Sequence, residues 1–394
     1  MIIPKLALKN ILGAGLRTWL NAFVLSLSFV LIIFSQGLLE GMNTQAEEAM
    51  IAAEIGGGHF QHAAYDPYDP LSLADAHGAL PAPLAVMVRA GKAAPVLVIQ
   101  GTIYPQGRLI AVQVKGIDPD QTVLNLPTAF LSAAQAGDEI PVLIGERMAA
   151  LSGLKRGDTV TLQWRDARGT FDARDTVIVQ VMKTSVQSID RGQIWVPLER
   201  LREMTGMPGD ATFVVLAQGA VRPADSAVGG WRFRGQDDFL ADIRAMVESK
   251  SVGSSVFYAI LLALAMLAIF DTQVLAIFHR RREMGTLMAL GFTRGKVIAL
   301  FTLEGMLNGV LAALVAAVYG IPLLSWVART GWALPGDTDS YGFAIGERLF
   351  PSYSLRLVTG TTLLVLLTTT VVSFLPTRRI ARLKPTDALR GRMT

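Results

Sequence analysis

Cysteine is absent from this 394-residue chain, which excludes disulfides, thiolate metal sites and a cysteine nucleophile. The absence does not fix a compartment, because exported domains can also lack cysteine. Charge is scarce as well. Only 17% of the residues are Asp, Glu, Lys or Arg, where a soluble domain carries about a quarter. With 51% apolar residues and a mean hydropathy of +0.42, part of the chain is expected in lipid. Motifs for hydrolytic chemistry are missing too: no Ser/His/Asp triad and no metalloprotease helix can be assembled. The nearest approach to a phosphate loop is GFTRGKV at 291–297. It has three residues between its glycines where four are needed, continues with Val297 instead of Ser or Thr, and follows a helical segment. The chain is therefore read as non-enzymatic, with no cofactor or metal of its own; any ATP and Mg would be bound by a separate ATPase chain.

What is present is greasy length. Four segments are long enough to cross about 30 Å of hydrocarbon: 22–39, 256–278, 297–328 and 357–375. The third is over-long, and Gly320-Ile321-Pro322 is expected to kink it or end its regular part. The basic residues Lys5, Lys9 and Arg17 ahead of the first give it a signal-peptide look. Its length and the lack of a small-residue cleavage site mark it instead as a retained anchor.

Charge distribution sets an orientation. Residues 1–21, 279–296 and the 376–394 tail together hold fourteen Lys and Arg against two acids, Glu283 and Asp387, whereas 40–255 has more acids than bases. By the positive-inside rule both termini and the 279–296 loop are cytoplasmic, and the large 40–255 domain lies outside. The expected fold class is an α-helical membrane protein of four transmembrane helices, with a large α+β extracytoplasmic domain inserted between spans 1 and 2. A short outer loop, 329–356, joins spans 3 and 4. Within 1–21, Leu6, Ala7, Ile11, Leu12 and Leu16 share one helical face, as expected of a cytoplasmic interfacial amphipathic helix.

In the outer domain, strands are expected near 95–117. IGERMAALSG suggests a helix closed by Gly153, and LKRGDTVTLQW a turn and strand. RDARGTF reads as a hairpin tip, and PLERLREMTG as a helix from a proline start to Gly206. Two stalks, EGMNTQAEEAMIAAEIG and QDDFLADIRAMVESK, join this domain to the spans without a glycine-serine linker, so domain and helices are expected to move together. The stretch 57–77 gathers His59, His62 and His77 beside Asp66, Asp69 and Asp75. Its Gly, Pro and Asp are ordinary loop chemistry, and it is read as a loop in preference to a metal site.

Two carboxylates fall inside spans, Asp271 and Glu304. A proton or ion relay is one reading. No further intramembrane acid or histidine continues a relay, so a structural role, pairing between helices, is preferred.

The segment FHRRREMGTLMALGFTRG, 278–295, sits between two of these spans. It begins basic and ends in small and apolar residues, with Met284, Leu287, Met288 and Leu290 making a short amphipathic surface closed by Gly291. That pattern suits a short helix docking in a partner's groove; binding to anionic headgroups is the alternative. From Arg280 to Gly320 the sequence RRREMGTLMALGFTRGKVIALFTLEGMLNGVLAALVAAVYG resembles the FtsX-like permeases of ABC transporters, of the macrolide-exporter and lipoprotein-releasing type. Arg282, Glu283, Gly285, Leu290, Gly291, Glu304 and Gly320 fall on that family's characteristic positions. VKGIDPD (114–120), VLIGERMAALSGLKRGDTVTL (142–162) and IWVPLERLREMTG (194–206) resemble its periplasmic core. RIARLKPTDALR (379–390) resembles its usual ending. Asp271 stands where the family usually has an uncharged residue, and the first span lacks its common glycine-rich pattern.

The resemblance implies a permease subunit in the bacterial inner membrane, paired with a second permease subunit as homo- or heterodimer above an ABC ATPase dimer. It implies that Arg282, Glu283, Met284, Gly285, Leu287, Leu290 and Gly291 couple to the ATPase. ATP-driven motion would then reach the outer domain by mechanotransmission and extrude a lipid-linked or amphiphilic substrate such as a lipoprotein. The outer partner would be a periplasmic carrier, an adaptor or the substrate lipoprotein itself, with no nucleic acid involved. Two alternatives remain: an FtsX-like regulator of a cell-wall hydrolase, and a drug or peptide exporter working with an adaptor and outer-membrane duct. The tip Arg165–Thr170 is a candidate carrier-binding hook.

Overall fold

A computed structural model describes residues 2–13, 15–132, 139–184, 186–221, 227–241, 281–333 and 348–380, with isolated positions at 244, 260, 263, 267, 270, 271 and 274. The chain divides into two compact units: 1–43 with 248–334 and 348–394, and 44–247 with 335–347.

The first unit is helical. Helix α1 (Ile2–Gly13) stops at Gly15, whose φ of +60° only glycine adopts easily. Helix α2 (Leu16–Met50) follows directly. The amphipathic helix expected over 1–21 is thus two pieces, and Leu16 to Asn21 begin the long helix. Toward the C-terminus come α7 (Arg281–Ala289), α8 (Arg294–Thr330) and α9 (Leu355–Ile380). Among the described residues three helical stretches are long and apolar enough to cross a membrane: Thr18–Ile55, Arg294–Thr330 and Leu355–Leu375. The expected span 256–278 lies mostly outside the described residues.

Helix α8 continues through Pro322 to Thr330, so its regular part does not end at Gly320–Pro322. Apolar helices tolerate an internal proline when neighbouring helices hold them, and Gly320 is buried where a Cβ would meet Val30 of α2 at 2.9 Å. Gly305, Gly309, Ala312, Ala316 and Gly320 form a buried stripe of small residues along α8. Helix α9 buries Thr361, Thr369, Ser373 and Thr377, and Thr369 lies against Gly309 of that stripe. Of these, Thr369, Ser373 and Thr377 bond back to carbonyls four residues earlier, while Thr361 donates to Gln36 of α2 at 2.8 Å. Small residues permit such close approach where no water drives apolar association. Ala22, Leu25, Phe29 and Ile32 of α2 complete this core with Ala312, Ala316, Val365 and Val372.

A second notch lies on α2. A Cβ on Gly37 would run into the Tyr353 ring, and one on Gly41 into the Phe350 carbonyl. The chain leading into α9 crosses α2 there, with Ser352 N donating to Gly37 O at 2.9 Å.

The second unit is β-rich. Strands β3 (Ala93–Ile103), β4 (Ile110–Ile117), β5 (Ile140–Gly145), β6 (Thr159–Arg165), β7 (Phe171–Met182) and β8 (Gln193–Pro197) pair in the ring order β3-β4-β8-β5-β7-β6. Pairing of β6 with β3 closes it into a barrel. The pairs β4–β8 and β5–β7 are parallel and the rest of the ring is antiparallel. Strand β3 is long enough to serve twice. Its end, Gly101–Ile103, pairs with β6, while Ala93–Val96 pair with β10 (Phe213–Leu216). From β10 the sheet continues through β1 (His59–His62) and β12 (Trp231–Arg234) to β11 (Ala227–Val228).

Strands β3, β5 and β8 read as nearly continuous apolar runs because both of their faces are buried, whereas β6 alternates buried and exposed residues. Leu97, Ile99, Val114, Val142, Ile144, Leu162, Trp164, Ile178, Ile194 and Val196 fill the barrel, each ring strand contributing. Their alternates Val96, Val98, Leu143 and Trp195 join a second core with Phe213, Val215 and Ala53. Helices α4 (Glu146–Ser152) and α6 (Leu198–Thr205) end at Gly153 and Gly206, both left-handed, as their sequences promised. Helix α6 lies directly on β4, where a Cβ on Gly116 would come within 2.8 Å of Leu201 Cδ2.

Candidate functional site

The segment singled out between apolar stretches folds as α7 followed by a four-residue connection to α8. Gly291, with φ of +93°, lets Gly291 N bond to Met288 O and Phe292 N to Leu287 O, closing the helix. Glu283 in its first turn is exposed, Gly285 is buried, and Leu290 is 75% exposed. Arg282 and Met284 occupy helical positions whose side chains lie outside the description.

Leu287 and Met288 point elsewhere. They pack, with Phe292, onto a cluster of Ala7 from α1 and Val297, Leu300 and Phe301 from the first turns of α8. Ile3 and Leu6 join from α1. The apolar face of α1 is therefore spent on protein, while Lys5, Leu8 and Lys9 are exposed. Asn10 shares a helical face with Ile3 and Ala7, and its Nδ2 donates to Glu304 Oε1 at 2.6 Å; Glu304 is 5% exposed. Sequence reading missed Asn10 and Phe292 in this arrangement, and placed Met288 on the amphipathic surface without its packing partners. The i, i+4, i+7 spacing of Ile3, Ala7 and Asn10 was the available signal. Asp271 is an exposed helical position within the mostly undescribed segment.

In the β-rich unit the histidines disperse. His59 is buried, stacked on Phe213 at 4.9 Å, with Nε2 against Glu54 O at 2.8 Å. Burial pulls its pKa down to about 4. His77 Nδ1 meets Asp210 Oδ2 at 2.7 Å, while burial and the neighbouring His77 lower the pKa of His62. Asp66 caps a turn by accepting from Tyr68 N, and Asp69 does the same for Leu71 N. Among the described residues no three His, Asp or Glu side chains gather as metal ligands.

The tip 165–170 is a tight turn: Asp166 Oδ1 accepts from Arg168 N and Thr170 N, Arg165 Nε donates to Gly169 O, and Ala167 N donates to Thr205 O. Beside it runs a trough of about 690 Å³ lined by Leu71, Gln100, Trp164, Phe171 and Met207. Leu71 and Phe171 are 79% and 70% exposed.

Residues 255–385, the stretch that holds α7, α8 and α9, match the FtsX-like permease C-terminal family. The chain is also 26% identical over 137 residues to an uncharacterized ABC transporter permease of Methanocaldococcus jannaschii. That match covers 34% of this chain and 31% of the relative, so it spans about a third of the length of each. The chain carries an FtsX-like permease domain and is a distant relative of an ABC transporter permease.

Proposed function

We propose that this chain is the membrane subunit of an ABC transporter in the bacterial inner membrane. A separate ATPase pair supplies the energy, and a second permease subunit, identical or homologous, completes the complex. The reading rests on the FtsX-like match over 255–385 taken with one observation: α7 is braced from behind by α1 and α8 while Glu283 and Leu290 remain exposed. A docking helix needs both a free face and a stiff backing, because a push on a loose helix is dissipated in its own displacement. In this reading Leu290, Glu283 and Arg282 meet the ATPase, and Leu287 and Met288 carry its motion into α8. Gly285 and Gly291 shape the segment, with Met284 completing its apolar surface.

Both termini are cytoplasmic and the β-rich domain is periplasmic. The exposed aromatics Trp19 at one end of the helical unit and Trp326 and Trp332 at the other support a membrane placement between them, since tryptophan favours the headgroup level. The substrate is lipid-linked or amphiphilic, a lipoprotein being the leading kind, and motion of the helices drives the periplasmic domain against a carrier or adaptor. ATP hydrolysis belongs to the partner.

The test is a pair of substitutions in the full-length chain. Leu290→Asp is expected to abolish co-purification of an ATPase subunit with little change in thermal stability. Leu287→Asp is expected to lower stability as well, since it places a charge in the α1–α8 cluster. An ATPase that co-purifies equally with wild type and Leu290→Asp would refute the docking face, and the absence of any ATPase from the wild-type preparation would refute the permease reading.

A further inference from the structure

The sequence around 56–58 is Gly-Gly-Gly, which reads as a flexible joint, yet all three glycines are pinned. Gly57 N donates to Leu216 O at 2.6 Å and Leu216 N to Gly58 O at 2.9 Å. A Cβ on Gly57 or Gly58 would meet Ala217 O or Arg234 O, and one on Gly56 would meet the Leu216 carbonyl. Gly56 and Gly58 also hold positive φ, +57° and +108°. The glycines let three backbone segments, 56–58, 216–217 and the strand at Arg234, cross at contact distance.

Just before them, the end of α2 passes into a five-residue π-turn, Ile51–Ile55. π-turns widen a helix and re-aim the residues that follow. Here the turn delivers Glu54 onto the sheet. Glu54 Oε1 accepts from Lys115 Nζ of β4 at 2.9 Å, with the two side chains 19% and 5% exposed. The lysine ammonium also lies 5.2 Å from the Trp195 ring and 5.9 Å from that of Phe213. The same turn offers Glu54 O to His59, and Ala53 packs among Val96, Val98 and Trp195.

The returning chain fastens to the same place. Gln236 Nε2 donates to Gly56 O, Phe239 lies 4.6 Å from the His59 ring, and Arg244 grips Glu47 with Nε and Nη2, each at 2.9 Å. Entry and exit of the β-rich domain are thereby tied to one another and to β4, a barrel strand.

We infer that this clasp, Glu54–Lys115 at its centre and Glu47–Arg244 at its edge, makes the last turns of α2 and the barrel one rigid piece, so that Glu54 and Lys115 are positioning residues for transmission out of α2. A buried ion pair is suited to this because it tolerates little displacement: separated from each other, both charges face a low-dielectric surrounding. The functional meaning of the clasp rests on the permease reading; its rigidity does not.

The absence of cysteine makes the test direct, because spin labels can be placed without removing native thiols. In the full-length chain in lipid nanodiscs, labels at Glu48→Cys and Arg174→Cys, both exposed, report the distance between the end of α2 and the barrel by electron–electron resonance. Wild type is expected to give one narrow distribution. Lys115→Met is expected to broaden it at least twofold, and Arg244→Ala, at the exposed edge and compatible with folding, to broaden it to a lesser degree. The swap Glu54→Lys with Lys115→Glu is expected to restore a narrow distribution. Broad distances in wild type, or unchanged narrow distances in Lys115→Met and Arg244→Ala while the melting temperature falls, would overturn the inference and leave the pair as ordinary core. ATPase co-purification, scored separately in the same variants, keeps a failed clasp distinct from a failed permease assignment.

Discussion

His59 should make the β-rich domain acid-sensitive in a way that one substitution removes. Its ring is buried between Phe213 and Phe239, 4.9 and 4.6 Å away, and burial holds its pKa at about 4 against 6.5 in an exposed chain. A lowered native pKa means that the unfolded chain takes up the proton first as pH falls below 6.5. Stability is thus intact above that value and is lost progressively down to pH 4, where the loss levels off. Between pH 7.5 and 4.5 the linkage removes about 2.5 kcal/mol. His59→Phe preserves the stacking and removes the titration, but forfeits the bond to Glu54 O, which costs about 1 kcal/mol. At pH 7.5 the variant should be less stable by about 1 kcal/mol, and at pH 4.5 more stable by roughly 1.5 kcal/mol. The measurement is denaturant unfolding of the full-length protein in detergent, followed by tryptophan fluorescence, at the two pH values. Other groups titrate over this range, so the informative quantity is the difference between the two proteins. A difference that stays the same at both pH values would show that His59 is not held neutral, and the burial argument would fall.

Gly116→Ala should cost about 1–3 kcal/mol, because the added methyl meets Leu201 and the backbone of Leu198 in a filled barrel end; the unfolding midpoint reads it. Trp164→Phe removes the Nε1 donor to Met204 O inside the same core, and should cost about 1–3 kcal/mol with little change in the far-ultraviolet dichroism. Gly37→Leu should prevent the 350–353 segment from seating on α2, lowering the melting temperature and the yield of monodisperse protein, whereas Gly360→Leu, with open space around its Cβ, should do neither. Asn10→Leu removes the amide that donates to Glu304, and should raise the protease sensitivity of the N-terminal helix while leaving the β-rich unit unaffected.

Local signals in the sequence carried a good part of this fold. The helices at 146–152 and 198–205 end at glycines that are indeed left-handed, and the apolar runs near 95–117 are strands. Closure of the barrel was not legible, because the pairing of β3 with β6 joins residues some 60 apart and leaves no local mark. Nor was the double use of β3, whose two halves look alike. The break at Gly15 was hidden by an apolar pattern that continues across it, and the persistence of α8 through Pro322 depends on neighbours that a single segment does not reveal. At the candidate site, amphipathicity marked α7 correctly as a segment with two faces. It did not say which apolar residues face inward: Leu287 packs within the chain, and Leu290 is exposed.

Gly37 and Gly41 lie four residues apart on a long apolar helix, a pattern commonly taken as a seat for a second helix. In this chain the seat is already taken by its own residues 350–353. The protein has used up, within one polypeptide, the surface by which a sequence reader would expect two copies to recognise each other. Among the described residues, another side of α2 exposes the bulky Leu20, Phe23, Leu27 and Leu31. Contact there is between large, deformable side chains and not between backbones, so it yields to sliding. On the proposed permease reading, helices that change their spacing are better served by such a surface than by a lock.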